Sequence, residues 1–168
     1  MATPIVSIIM GSKSDFNTMK KAADVLDSFD LGYEMEIMSA HRTPEKVAEY
    51  AKTAAKRGLK IIICGAGMSA HLAGVVAAHT DLPVIGIPLS SAQGLGGMDA
   101  LLSTAQMPKG VPVAAVAING SVNAALLAIK ILALSDNTLT DKFKAYKENM
   151  RKEIEEASQK MKKGESPL

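Results

Sequence analysis

A histidine and an arginine stand side by side in the segment Ser39–Pro44, which reads Ser-Ala-His-Arg-Thr-Pro. His41 can move a proton near neutral pH without a metal ion, and Arg42 carries a planar, permanent charge that suits a phosphate or carboxylate. Thr43 followed by proline is typical of the start of a helix. Judged alone, His41 and Arg42 could equally be ordinary polar residues of a surface loop. The segment therefore predicts a helix start and leaves a proton-transfer site as one of two interpretations.

Residues 11–15, Gly-Ser-Lys-Ser-Asp, form a second polar segment. Ser14 or Asp15 could serve only to cap the following helix. Capping does not account for Ser12, Lys13 and Asp15 together, whereas an anion bound at a helix N-terminus beside a lysine accounts for Ser12 and Lys13. Because a carboxylate repels a phosphate, the expected partner of Asp15 is a sugar hydroxyl.

A glycine-rich segment at residues 65–71 matches a known nucleotide motif in its spacing. Gly65, Gly67 and Ala70 follow the dinucleotide fingerprint G-x-G-x-x-G/A. That motif needs an acidic residue at the end of the next strand, where this chain has none. We therefore expect no nicotinamide site, and expect the glycines to let the backbone approach a different ligand. His71 is either a second site residue or a hydrogen-bonded helix histidine.

Short apolar runs and longer amphipathic stretches alternate along residues 1–135, and this pattern predicts the elements that position those side chains. Most runs are nearly continuous, as in strands buried on both faces, while Tyr33–Met38 alternates like an edge strand. The predicted strands are Pro4–Met10, Tyr33–Met38, Lys60–Cys64, Val84–Pro88 and Val113–Ile118, and the predicted helices are Asp15–Ser28, Pro44–Arg57, Ser69–Ala78 and Asn123–Leu134. We expect an α/β fold, a three-layer α/β/α sandwich with a parallel five-stranded flavodoxin-like sheet in the order 2-1-3-4-5.

Each polar segment follows a predicted strand, and ligands of open α/β sheets bind outside the carboxyl ends of the strands. Residues 90–97 and 119–120 follow the fourth and fifth strands in the same way. Five segments are therefore expected at one edge of the sheet. A phosphoacceptor receiver domain shares the strand order, but it needs acidic residues after strands one and three and a lysine after strand five. Strand three here ends in Cys64-Gly65 and strand five in Asn119-Gly120, so that class is excluded.

The last part of the chain has a different pattern. From Asp136 to about Lys163 there is no glycine or proline, and apolar residues recur at steps of three and four. These steps predict one narrow stripe on a helix roughly 40 Å long. We expect residues 1–135 to form the catalytic α/β domain and residues 136–168 a helix of the same domain that packs on a neighbouring subunit. A frayed, solvated terminal helix is the alternative.

Composition narrows the class of protein. A chain of 168 residues fits one domain, and a net charge of +2 with 4% aromatic residues argues against a nucleic-acid partner. Cys64 is the only cysteine, so no internal disulfide and no cysteine-rich metal site is expected. No apolar stretch approaches the length of a membrane span, and the first residues lack a signal-peptide pattern. We therefore expect a cytoplasmic protein that does not enter the membrane.

Taken together, the motifs resemble the N5-carboxyaminoimidazole ribonucleotide mutases of purine biosynthesis, the class I branch of the phosphoribosylaminoimidazole carboxylase catalytic-subunit family. The resemblance runs from about Ile5 to Leu134. It is carried by residues 11–15 and 39–44, by Gly65-Ala66-Gly67 with Ala70-His71-Leu72, by Gln106-Met107-Pro108 and by Asn123–Ala128.

The resemblance implies an isomerase that moves a carboxylate from the exocyclic nitrogen of the substrate to C4 of its imidazole, with no metal, nucleotide or biotin as cofactor. In the mechanism usually drawn, decarboxylation releases carbon dioxide inside the site and C4 then attacks it. It also implies a homo-octamer whose terminal helix reaches a neighbouring subunit. Carried over to this chain, the proton shuttle is His41, and the substrate-binding residues are Gly11, Ser12, Asp15, Ser39, Arg42, Gly67, Met68 and His71.

Two other functions remain open. A related branch carboxylates aminoimidazole ribonucleotide directly with carbon dioxide, although Ala70-His71-Leu72 favours the mutase branch. A non-enzymatic module that binds a phosphorylated ribonucleotide is the third interpretation. The chain departs from the usual family pattern at Met68-Ser69 and in the glycine-rich stretch Gly94–Gly97. We expect these departures to alter the shape and closure of the pocket rather than the class of reaction.

Overall fold

A parallel sheet forms the centre of the computed structural model, which describes residues 3–167. The strands are β1 (Val6–Met10), β2 (Tyr33–Ile37), β3 (Ile61–Gly67), β4 (Val84–Leu89) and β5 (Ala114–Ala115). All neighbouring strands are parallel, in the order β2-β1-β3-β4-β5. The predicted α/β fold, the strand order and the edge position of the alternating strand are confirmed.

Helices follow the strands in sequence. They are α1 (Phe16–Ser28), α2 (Pro44–Ala54), α3 (Leu72–Ala77), α4 (Met98–Ala105), α5 (Ser121–Leu132) and α6 (Asn137–Lys162), with 3₁₀ turns at Lys13–Asp15 and Ala55–Arg57. The turn after α2 ends at Gly58, whose φ of +95° favours glycine. The short helix α4 matches no predicted helix, because its eight residues directly follow a glycine-rich stretch that resembles a loop.

Helix α3 begins three residues later than its predicted start at Ser69. The amide of Ala70 donates to the carbonyl of Met68 at 2.8 Å, and the amide of His71 donates to that of Ser69 at 2.8 Å. These tight local contacts hold the residues before Leu72 outside the helix. The segment that precedes α3 therefore remains a loop at the carboxyl end of β3.

The core is aliphatic, as the composition predicts. Ile8 and Ile9 of β1 and Ile62 and Ile63 of β3 are fully buried between the two helical layers. Cys64 is also buried, and desolvation raises the pKa of its thiol well above the ordinary range. The only cysteine therefore stays protonated and packs as a small apolar residue.

Strand β5 is shorter and more exposed than predicted. The apolar run Val113–Ile118 predicts a strand buried on both faces, but only Ala114 and Ala115 pair, with Ile85 and Gly86 of β4, and both alanines are exposed. β5 lies at the edge of the sheet, and the chain turns away soon after it. The prediction of a buried fifth strand is wrong because an apolar run does not distinguish an edge strand from a central one.

The chain divides into two compact units, the first ending at Ala128 and the second beginning at Ile129. The second unit contains α6, whose 26 residues span about 39 Å. Its start is capped by the Asp136 carboxylate, which accepts hydrogen bonds from the amides of Thr138 and Leu139 at 2.8 and 3.2 Å. The predicted long C-terminal helix is confirmed. Within residues 3–167 no helix has both the length and the apolarity needed to cross a bilayer.

Candidate active site

A cleft of about 700 Å³ opens where β1, β2, β3 and β4 end. It is lined by all nine residues that the resemblance assigns to catalysis or binding, namely Gly11, Ser12, Asp15, Ser39, His41, Arg42, Gly67, Met68 and His71. Lys13 lines a smaller neighbouring depression instead. Residues 119–120 lie outside the lining, so four of the five expected segments meet there. The structure thus gathers the predicted residues in one place, while their individual roles stay predictions.

His41 and His71 contact each other although 30 positions separate them in the chain. Nε2 of His41 lies 2.8 Å from Nδ1 of His71, and the two rings meet edge to face with their centroids 5.1 Å apart. One ring nitrogen must donate in this hydrogen bond and the other must accept. The two imidazoles therefore form a hydrogen bond between the loops that follow β2 and β3.

The Arg42 side chain joins the loop after β2 to the loop after β1. Its Nη2 donates to the carbonyl oxygen of Gly11 at 2.6 Å, and its backbone amide donates to the Ser39 hydroxyl at 3.2 Å. The guanidinium lies in the cleft wall beside Ser12. Because a guanidinium has five N–H donors, one bond to a carbonyl leaves others for an anionic ligand.

Thr43 closes the turn that carries His41 and Arg42. Its amide donates to the Ser39 carbonyl at 2.8 Å, and its hydroxyl accepts from the Ser39 amide at 2.9 Å while lying 3.1 Å from the Ser39 carbonyl. The residue precedes Pro44 at the start of α2, as predicted, but its side chain makes no capping bond to that helix. The Thr43 hydroxyl thus shapes the cleft wall rather than the helix end.

The segment after β1 forms its own small network. The Ser12 hydroxyl accepts from the amide of Ser14 at 3.4 Å, and the Ser14 hydroxyl lies 3.1 Å from it and 3.2 Å from Oδ1 of Asp15. Asp15 makes no side-chain cap to α1, so helix capping does not explain it. Burial raises the pKa of Asp15, an effect partly opposed by the Ser14 hydrogen bond and by the Arg42 charge.

The loop after β3 brings backbone close to the cleft. A Cβ at Gly67 would lie 3.1 Å from the carbonyl oxygen of Leu89, so only a residue without a side chain fits there easily. The next residue, Met68, has a φ of +55° and a side chain that is 45% exposed. Such a backbone is strained for a long side chain, and strain of this kind is concentrated at functional sites.

The fourth wall of the cleft consists of Ser90, Ser91, Ala92 and Gln93. None of these was among the predicted site residues, although the sequence places them directly after a predicted strand, and that position was the signal. Polar residues missed in the other walls are Ser14 and Ser69. Both belong to segments whose neighbouring residues were predicted.

The site combines a hydrogen-bonded histidine pair, a guanidinium and a half-buried carboxylate with an uncharged, backbone-lined wall. Among residues 3–167, no group of three or more histidine, cysteine or acidic residues is arranged to hold a metal ion. These residues can bind an anionic sugar derivative and transfer a proton. Fold and site together define an α/β enzyme of the open parallel-sheet class with its site at the carboxyl edge.

The chain belongs to the AIR carboxylase family, whose model matches residues 5–153. A curated relative from Pyrococcus abyssi, the N5-carboxyaminoimidazole ribonucleotide mutase, is 54% identical over 149 residues, covering 89% of this chain and 85% of its own length. The protein of the same name from Bacillus subtilis is 52% identical over 160 residues, covering 94% and 98%. The resemblance drawn from the motifs is thereby confirmed.

Two further relatives complete the comparison. The phosphoribosylaminoimidazole carboxylase of Schizosaccharomyces pombe is 52% identical over 161 residues, which are 96% of this chain but 29% of that longer protein. The crystal structure of Treponema denticola PurE superimposes with a TM-score of 0.83 at 37% identity, covering 93% of this chain and 98% of that one. The fold is therefore that of the family.

Proposed function

We propose that the cleft converts N5-carboxyaminoimidazole ribonucleotide to 4-carboxyaminoimidazole ribonucleotide in de novo purine biosynthesis. The bond between the exocyclic nitrogen and the carboxyl carbon breaks, and the electron pair stays on the nitrogen, which takes a proton. C4 of the resulting aminoimidazole ribonucleotide then bonds to the released carbon dioxide and loses its own proton. Protons and electrons balance over the two steps, so the reaction needs no external oxidant or reductant.

His41 is the proposed proton shuttle, and its contact with His71 is the observation that carries the proposal. A general acid that protonates the departing nitrogen must become the base that removes the C4 proton. The hydrogen bond of 2.8 Å to a second imidazole orients the ring and gives it a neighbour that can donate or accept a proton. A histidine in this setting can serve as acid and base in one turnover.

The remaining contacts divide between phosphate, ribose and imidazole. Arg42 and Ser12, with Ser39 beside them, are proposed to bind the phosphate, because they supply a guanidinium and hydroxyl donors at one end of the cleft. Asp15 is proposed to accept hydrogen bonds from the ribose hydroxyls. The carbonyl of Gly11 holds Arg42 in place at 2.6 Å.

The loop after β3 is proposed to face the imidazole and the carbon dioxide. Carbon dioxide is small and uncharged, so a closed, water-poor pocket holds it better than a charged group does. Gly67 lets the backbone approach closely, and Met68 places an apolar thioether in the same wall. His71 completes this side of the cleft.

A comparison of substrates tests the reaction. The purified protein is given N5-carboxyaminoimidazole ribonucleotide alone, or aminoimidazole ribonucleotide with bicarbonate, and formation of 4-carboxyaminoimidazole ribonucleotide is followed. We expect turnover with the first substrate. Turnover only with the second would favour the direct carboxylase, the alternative left open by the sequence.

His41→Asn separates the enzyme from a binding module. We expect kcat to fall by about 10³-fold, because the acid and base are lost, while the substrate still binds. His79 in the turn after α3 does not line the cleft, so His79→Asn is the matched control and should keep full activity. Unchanged turnover in His41→Asn would contradict the proposal.

The assembly is proposed to be a homo-octamer, with α6 packing on a neighbouring subunit. Within its own unit, α6 leaves the apolar side chains of Met150, Ile154 and Met161 exposed, Ile154 by 72%. Light scattering should give about 140 kDa for eight copies of the 17.6 kDa chain, and truncation after Asp136 should lower that mass. An unchanged number of subunits after truncation would contradict it. A cytoplasmic location stays a prediction.

A further inference from the structure

The wall of the cleft after β4 is held by a residue that follows β5. The amide of Ser90 donates to Oδ1 of Asn119 at 3.1 Å, and Nδ2 of Asn119 donates to the Ser90 hydroxyl at 2.7 Å. These two hydrogen bonds, called here the Asn119–Ser90 pair, join positions 29 residues apart. Asn119 itself does not line the cleft.

The backbone of Asn119 explains why its side chain is aimed at Ser90. Its amide donates to the carbonyl of Pro88 at 2.8 Å, which anchors the residue at the end of β4. Its φ is +57°, in the left-handed region that asparagine tolerates better than most residues. An anchored, left-handed asparagine therefore presents its amide to the first residue of the wall.

The wall held in this way lies against the backbone proposed to face the carbon dioxide. Gly67 of β3 is the register partner of Leu89, one residue before Ser90. A Cβ built on Gly67 would lie 3.7 Å from the Cβ of Ser91. The tight approach at Gly67 is to the carbonyl oxygen of Leu89, which would lie 3.1 Å from such a Cβ, whereas Ser91 lies at ordinary contact distance. The Asn119–Ser90 pair holds the residue between these two neighbours of Gly67.

We propose that Asn119 is a positioning residue, which keeps the wall at Ser90 and Ser91 closed against Gly67 so that carbon dioxide is recaptured by C4 instead of escaping. The inference rests on the proposed function, because recapture matters only if carbon dioxide is an intermediate. If the wall moves away, the carbon dioxide leaves before C4 can bond to it. The aminoimidazole ribonucleotide, whose exocyclic nitrogen has taken the proton, is then released as a free product. The Asn119–Ser90 pair thus determines whether the carbon dioxide from each decarboxylation is recaptured by C4 or escapes.

The measurement is the ratio of aminoimidazole ribonucleotide to 4-carboxyaminoimidazole ribonucleotide formed from N5-carboxyaminoimidazole ribonucleotide, with an enzyme-free blank subtracted. In Asn119→Gly the side chain is removed while glycine accepts the left-handed backbone without strain. We expect this ratio to rise by about tenfold, since small displacements in a reactive site have effects of that size or larger. KM should change little, because the proposed phosphate and ribose contacts belong to the loops after β1 and β2.

Matched variants separate positioning from general destabilisation. Asn119→Asp keeps an acceptor for the Ser90 amide and can accept from the Ser90 hydroxyl, so it should restore a low ratio. Ser90→Ala removes one of the two hydrogen bonds and should raise the ratio by about threefold. Asp30 also has a φ of +57°, in the turn after α1, so Asp30→Gly tests the same backbone change away from the cleft and should leave the ratio unchanged.

The product ratios of these variants decide whether Asn119 positions the wall. An unchanged ratio in both Asn119→Gly and Ser90→Ala overturns the inference, even if the melting temperature falls, and so does an equal rise in Asp30→Gly. If Asn119→Gly does not fold, as judged by circular dichroism, Ser90→Ala decides alone. Failure of the wild-type protein to form 4-carboxyaminoimidazole ribonucleotide from N5-carboxyaminoimidazole ribonucleotide overturns the proposed function instead.

Discussion

The cleft has two walls that are fixed in different ways. The turn Ser39–Thr43 is closed by its own residues, because the Thr43 amide and hydroxyl bond to the backbone of Ser39 four positions earlier. The start of the loop after β4 is instead fixed by a distant partner, because Ser90 is hydrogen-bonded to Asn119, 29 positions further along the chain. The first wall is determined by a short stretch of sequence, and the second by a contact that forms only in the folded sheet.

This difference has a chemical counterpart. The locally closed turn carries His41 and Arg42, the residues proposed to transfer the proton and to bind the phosphate. The remotely held loop offers Ser90, Ser91, Ala92 and Gln93, hydroxyl, methyl and amide groups that line the cleft without a charge. The residues proposed to carry the chemistry thus lie on the self-closed turn, and the remotely held wall is uncharged.

Among the changes that alter how the two walls are held, breaking the local turn should have the largest effect. Thr43→Val keeps the shape of the side chain but removes the hydroxyl that bonds to the Ser39 backbone. We expect kcat/KM to fall by about a hundredfold, because both His41 and Arg42 lose their positions. Steady-state kinetics measures the loss.

Two variants control for this change. Thr43→Ser retains the hydroxyl and should keep most of the activity. Thr80→Val removes a hydroxyl from another turn, where it accepts from the amide of Leu82 at 3.3 Å, and should not affect kinetics. If Thr43→Val were as active as Thr80→Val, the turn would not depend on this side chain.

The difference between the locally closed turn and the remotely held loop also explains which features could be predicted from the sequence. Residues 39–44 and 11–15 were identified as polar segments after strands, and the hydrogen bonds that shape them run between residues two to four apart. The parallel sheet followed from the alternation of apolar runs and amphipathic stretches, and the strand order is the one expected for a flavodoxin-like fold. These are local signals, and four of the five predicted segments line the cleft.

Features that depend on tertiary neighbours were missed. No spacing rule pairs Asn119 with Ser90, because their contact exists only after β4 and β5 have paired. The contact between His41 and His71 likewise requires β2 and β3 to flank β1. The predicted strand order already placed β5 at the edge of the sheet, but its exposure was mispredicted because a continuous apolar run by itself indicates burial on both faces.

Asp15 offers a smaller, more specific test of a locally fixed segment. In Asp15→Asn we expect KM to rise by about tenfold, because hydrogen bonds from ribose hydroxyls to a charged acceptor are replaced by weaker ones. Asp81→Asn, outside the cleft, is the matched control. An unchanged KM would remove Asp15 from the proposed ribose contacts.

Asp15→Asn should weaken substrate binding but should leave the stability of the fold unchanged or increase it. Burial raises the pKa of Asp15, so the folded state binds the proton of this carboxyl group more tightly than the unfolded chain does. The ionised carboxylate therefore costs stability at neutral pH, and this cost disappears as the pH falls below its pKa in the unfolded chain. Asp15→Asn should melt at an equal or higher temperature at pH 7, and the difference should vanish in acid. A lower melting temperature at pH 7 would contradict this sign.

The smallest expected effect concerns Met68, where the wall after β3 is fixed by a strained backbone rather than by side-chain bonds. Replacing a left-handed methionine by glycine relieves strain of roughly 1–3 kcal/mol, while the added freedom of the unfolded chain offsets part of it. Met68→Gly should therefore raise the free energy of unfolding by about 1 kcal/mol, measured in urea. Met68→Ala keeps the positive φ and should show no gain.

Activity separates the side chain of Met68 from its backbone. Both variants remove the half-exposed thioether from the cleft, so both should raise KM by about twofold, in keeping with the loss of a partly buried apolar contact. If only Met68→Gly lost activity, the strained backbone itself would position the loop, and this wall would resemble the turn closed by Thr43. If both variants lost activity equally, the wall would instead depend on the Met68 side chain, as the loop after β4 depends on the Asn119 side chain.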